Sequence, residues 1–173
     1  MDIATEFLEQ SRHYLGVEYP TKIRRCLDAL PAEAVWRRSD EQSNSIGNLL
    51  RHLAGNVRQW IVSSVGGVPD TRYRAAEFTA REGASADELF AALRGTLDEA
   101  DAVLASLSAP QLLTRRTIQG RDVTVLDAVY HVVEHFALHT GQIILLTKLY
   151  APGRIAFYED AGGLAVPRWR DGR

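Results

Sequence analysis

The chain has 173 residues, 46% hydrophobic and 24% charged, and 20 Lys+Arg against 22 Asp+Glu give a formal net charge of −2. That is the profile of a soluble globular protein, and it lacks the basic excess of a nucleic-acid binder. One domain spanning 1–173 is expected, and a chain of this length can bury roughly 70% of its unfolded surface, so a core forms without disulfides. The longest apolar run, residues 89–93, is far short of the roughly 20 residues of a membrane span. The acidic start, Asp2 and Glu6, does not resemble a secretory signal. Cys26 is the single cysteine and cannot bridge internally, which fits a reducing, cytoplasmic setting. Neither a membrane nor a nucleic-acid partner is expected.

Helical periodicity dominates the chain. Residues 2–30 carry a helical pattern interrupted by Gly16 and Pro20. Because an internal proline costs a helix about 3 kcal/mol, a kink or break is expected there, with Pro20 in the first turn of the second piece. The second helix is read over 45–64, with Ile46, Leu49, Leu50, Leu53, Val57, Trp60 and Ile61 on one face and Gly66-Gly67 as its stop. The third is read over 86–107, opened by the Ser85/Glu88 capping box and closed before Pro110.

Residues 116–124 alternate weakly about Gly120 and read as a loop or short hairpin. The fourth helix, 125–150, has a capping box at Thr124/Asp127. It is apolar nearly all round, so it is expected to be the most buried. The expected fold is therefore all-α, a four-helix bundle, and the long 65–84 connection between helices two and three points to an up-down-down-up order. The 153–173 tail carries Phe157, Tyr158, Leu164, Val166 and Trp169 without periodicity. It is expected to pack over the bundle or a partner, with Arg168, Arg170 and Arg173 solvated.

The five histidines are His13, His52, His131, His135 and His139, three of them spaced i, i+4, i+8 on the fourth helix. Residues four apart share a helix face about 6 Å apart at their bases, so adjacent pairs can share one metal ion. His131 and His139 are about 12 Å apart along the axis and cannot both reach one ion. The pair is then His131/His135 or His135/His139, with His52 or His13 as third ligand. In an up-down-down-up order His52 lies about 12 Å along helix two, near the level of His139 and His135 at about 16 and 22 Å from the end of helix four. Level matching in that order favours His52 with His135 and His139. Asn48, Asn56, His131 and Gln142 share the flanking faces and are candidates for lining or supporting the site. Glu134 points about 100° away from His135. Cys26 reads as a packing residue.

The motifs Asn48-Leu49-Leu50-Arg51-His52-Leu53 and His135-Phe136-Ala137-Leu138-His139-Thr140-Gly141-Gln142-Ile143 resemble those of the DinB-like family of bacterial four-helix-bundle proteins. Residues 43–60 are similar to a subgroup of unknown function. The resemblance implies a divalent-metal site at His52, His135 and His139. It also implies thiol-dependent transfer or isomerisation with a low-molecular-weight bacterial thiol as cosubstrate, and a homodimer.

Three neutral imidazoles leave an ion its full charge and an open position, which acidifies a bound water or thiol. The expected function is a metal-dependent enzyme acting on a small molecule, with a thiol-dependent S-transferase as the leading form. A metal-dependent hydrolase, or a non-catalytic metal-binding or structural dimer, is the alternative. Imidazole suits several divalent transition metals, Zn, Ni and Fe among them. No titrating acid or base beyond the metal is identifiable, and no catalytic side chain is assigned.

Overall fold

Asp2 starts the first helix by accepting the backbone N–H of Thr5 at 2.8 Å. In the computed structural model, which describes residues 2–169, α1 then runs Ile3–His13. Where a kink or break is expected, at Gly16 and Pro20, the chain changes helix type without leaving the helical conformation, and Pro20 stands in the first turn of the second piece as expected. A π-helical turn over Tyr14–Glu18 leads into α2, Tyr19–Ala29, and every junction residue is right-handed helical. The wider turn bonds the Tyr19 N–H to the Tyr14 carbonyl. Pro20, which has no N–H to donate, thus falls in the first turn of a new α register where none is needed.

Ser45 and Asn48 form a capping box that opens α3, Ile46–Val57, and a second π-helical segment, Arg58–Ser63, extends it. Gly67, with φ +84°, takes the left-handed conformation after its end. The long connection then holds a short helix, α4, Arg74–Thr79. The Ser85/Glu88 capping box opens α5, Ala86–Ala105, as its pattern requires. After α6, Ala109–Leu112, strands β1, Arg115–Ile118, and β2, Arg121–Thr124, pair antiparallel with Arg115 opposite Thr124. The Thr124/Asp127 capping box opens α7, Val125–Tyr150. Strands β3, Tyr158–Ala161, and β4, Leu164–Pro167, form a second antiparallel pair in the tail.

The protein is thus mostly helical, and the two small sheets correct the all-α expectation. Helix α3 packs against α5 and α7, α2 against α7, and α1 against α5. Between them Ile23, Leu53, Ile61, Leu93, Phe136 and Ile143 are fully buried. Tyr19 stacks on Phe136 with ring centroids 5.7 Å apart. Phe157 and Trp169 flank the tail hairpin and are buried in the same core, so the tail packs on the helices. Arg170 and Arg173 lie outside the described residues.

One expectation about α7 is overturned. Val125, Val129, Val132, Phe136 and Ile143 are buried, but Tyr130 and Leu149 are each 64% exposed, and Leu138 and Leu145 lie on the same outer side. The helix is apolar all round, yet its neighbours in this chain cover one face of it. No helix among the described residues is long and apolar enough to cross a membrane.

Candidate metal centre

His52 projects from the middle of α3, and His135 and His139 project one turn apart from α7, the helix packed against it. Each offers one ring nitrogen to a group whose three atoms lie within 4.8 Å of one another. Ligand atoms bound to one ion at about 2.1 Å stand at most about 4.2 Å apart, so the trio is within a small side-chain adjustment of a shared ion. His52 is buried, whereas His135 and His139 are half-buried, which leaves the α7 side of the group open to solvent.

The outer nitrogens of two rings are already engaged. His52 Nδ1 lies 2.8 Å from Glu77 Oε2, and His139 Nδ1 lies 2.7 Å from Gln142 Oε1. An acceptor at Nδ1 places the proton there and leaves Nε2 with its lone pair inward, the tautomer a metal ligand needs. His52 Nε2 faces His135 Nε2 at 2.8 Å, and the His135 and His139 rings meet edge-on at 4.4 Å between centroids.

The environment favours neutral rings. Burial, reinforced by the neighbouring His139, His52 and His131 and by Arg72, pushes His135 down to about 3. Burial also lowers His139, against the opposing hydrogen bond to Gln142, and it lowers His131. Glu77 behaves differently. Burial alone would raise its carboxyl, but hydrogen bonds from Arg72 and His52 and the charge of Arg72 outweigh that and hold it below the usual carboxylate range.

The remaining candidates fall into separate roles. Gln142 supports His139, as described. His131 lies one turn from His135 and stacks on it at 5.3 Å. It also packs against Trp60 at 4.1 Å, with Asn56 Nδ2 3.4 Å from its Nε2, so it borders the group formed by His52, His135 and His139. Asn48 hydrogen-bonds the long connection. Its amide donates to the carbonyls of Glu77 at 2.8 Å and Ala80 at 2.9 Å, and its Oδ1 accepts from Arg38 at 2.6 Å. It ties the long connection to α3. His13 is exposed beside Glu18, and Glu134 faces solvent. Cys26 is buried, and burial pushes its thiol up to about 11, which removes it as a nucleophile.

Glu77 and Arg72 are the site residues that sequence reasoning missed. They sit in the 65–84 connection, which has no apolar period to place it against the helices. The one signal was chemical: a histidine ligand needs an acceptor on its second nitrogen, but that demand does not say which of the 22 acidic residues supplies it.

The family profile described as "Protein of unknown function (DUF1572)" matches residues 2–156. The chain belongs to this family. The crystal structure of a DinB-like protein, YjoA from Bacillus subtilis, is similar with a TM-score of 0.63, covering 90% of this chain and 98% of that one. Identity across the match is 17%, so the likeness concerns the fold, which is DinB-like. None of the curated proteins matches the chain.

Proposed function

We propose that this DUF1572 protein is a metal-dependent enzyme in which His52, His135 and His139 hold one divalent transition-metal ion, Zn, Ni or Fe. The carrying observation is that the ligating group comprises three side chains among the described residues and is half-open on one side. Three protein ligands with one position left open is the arrangement of catalytic rather than structural sites. A bound ion there supplies Lewis acidity that turns a thiol or a water into a nucleophile at neutral pH. The chain's own residues keep His135 and His139 neutral by burial, orient His52 and His139 through Glu77 and Gln142, and border the group with His131, Trp60 and Asn56.

The similarity to DinB-like proteins favours a low-molecular-weight thiol as cosubstrate and an S-transferase reaction on a small electrophile. It also supports reading the long helical segments as an up-down-down-up bundle. The exposed stripe Tyr130, Leu138, Leu145 and Leu149 on α7 supports self-association as a homodimer.

Elemental analysis of the purified, tag-free protein beside His52→Ala and His135→Ala tests the proposal. The expected result is one transition-metal ion per chain, lost in both variants. Equal metal content in all three proteins, or none after reconstitution of the wild type, overturns it.

A further inference from the structure

The two supported histidines are held by very different means. His139 leans on a neutral amide of its own helix, three residues along, which costs the fold little. His52 leans on a carboxylate brought from another element, and Glu77 is only 7% exposed. A carboxylate buried to that degree needs a partner. Arg72 supplies it in a fork, with Nε 2.7 Å from Oε1 and Nη2 2.9 Å from Oε2, and its own side chain is 3% exposed. Arg72 Nη2 also lies 3.2 Å from His52 Nδ1, because both groups converge on the same carboxylate oxygen.

Everything around this pair holds it in place. Arg72 Nη1 donates to Gln59 Oε1 at 2.9 Å. Asp70 accepts from Gln59 Nε2 at 2.7 Å and from the Arg72 backbone N–H at 3.0 Å. Gln119, at the tip of the β1–β2 hairpin, donates to the same Gln59 oxygen at 2.7 Å. Asn48 pins the backbone of Glu77, as described above, and Phe78 packs on the His52 ring at 4.8 Å. Most telling is Gly55, one turn along α3 from His52. A Cβ there would overlap Glu77 Oε1 and stand 3.0 Å from Arg72 Nε. The helix gives up a side chain so that the carboxylate can lie against it.

A buried ion pair is a poor device for stability, because desolvation consumes most of the attraction. Its value here lies in what the carboxylate touches. We infer that Glu77 is the positioning residue of His52: it holds the Nδ1–H and so presents the Nε2 lone pair to the site, while Arg72 and Gly55 hold Glu77 against the ring. The inference rests on the metal reading for its consequence, a tighter site, but not for the contact itself.

Two measurements separate the two. Long-range ¹⁵N–¹H spectra of the metal-free protein report the His52 tautomer. The wild type is expected to show His52 protonated at Nδ1, and Glu77→Ala and Gly55→Ala to shift it toward Nε2–H or a mixture. Chelator competition with Zn²⁺ is expected to show about 10–100-fold weaker binding in Glu77→Ala at unchanged stoichiometry. Glu77→Gln keeps an acceptor for Nδ1–H and is expected to recover part of that loss, which a merely structural contact would not produce. Circular dichroism establishes that each variant is folded, and Gly55→Ala carries the tautomer test where Glu77→Ala is not. An unchanged His52 tautomer in folded Glu77→Ala or Gly55→Ala overturns the inference, as does wild-type zinc affinity in all three variants. A wild type that shows the Nδ1–H tautomer but takes no zinc overturns the proposed function while leaving the Glu77–His52 relation standing.

Discussion

Two stretches of similar length leave the long helices, the 65–84 connection and the 153–169 tail, and they meet the rest of the protein by opposite means. The connection turns charge inward: Glu77 and Arg72 are buried side by side against His52. The tail turns charge outward. All but one of the residues of β3 and β4 are exposed, and the segment is held by Phe157 and Trp169, one at each end, in the apolar core. Apolar anchors are enough to hold a segment in place, since burial of aromatic area is favourable by itself. A buried carboxylate adds nothing unless its partners satisfy it, so its presence marks a requirement of the site rather than of the fold.

Variants on the two sides should therefore separate stability from metal binding. Arg72→Ala strands the Glu77 carboxylate and is expected to cost about 3–5 kcal/mol in denaturant melts of the metal-free protein. A melt unchanged from wild type would mean that the pair is solvated. On the tail, Phe157→Ala is expected to cost about 3 kcal/mol while leaving zinc affinity alone. A matching loss of affinity would show that the tail reaches the site.

A pH series sharpens the contrast at the histidines. The folded state keeps His135 neutral down to about 3, whereas the ordinary imidazole value is 6.5. The unfolded chain binds more protons at this residue between those values, so the His135 contribution to metal-free stability is full above pH 6.5 and is lost as pH drops through the window. His135→Ala is expected to flatten this slope above the carboxylate range, and an unaltered slope would mean that the ring is not desolvated. The smallest effect belongs to the tail's surface. Glu159 pairs with Arg168 at 3.0 Å with both side chains more than half exposed, and Glu159→Ala is expected to shift stability by less than about 1 kcal/mol.

Much of this architecture is legible in local pattern. The capping boxes at Ser85 and Thr124 open α5 and α7 where the spacing places them, because a cap is made by residues three apart and needs nothing from the rest of the chain. Helix rise, combined with an assumed up-down-down-up order, favours His52 with His135 and His139, the group that the structure brings together. The Pro20 reading placed the proline where the structure has it, in the first turn of α2, but not the continuous π-helical path that leads there. A proline fixes what the backbone cannot do, but a π turn upstream offered a way to continue that sequence spacing does not reveal.

Composition and periodicity by themselves determined the long helices, their capped starts and the shared helix face of His131, His135 and His139. These follow from interactions within a few residues, or from one repeat applied along a rigid rod. Only the tertiary structure decided which side of α7 stays uncovered, how the aperiodic tail docks, and that Glu77 and Arg72 complete the site. Each of those depends on groups brought together across the fold, Glu77 standing 25 residues from His52 in the chain, and no local pattern encodes which acceptor will meet which donor once the helices pack.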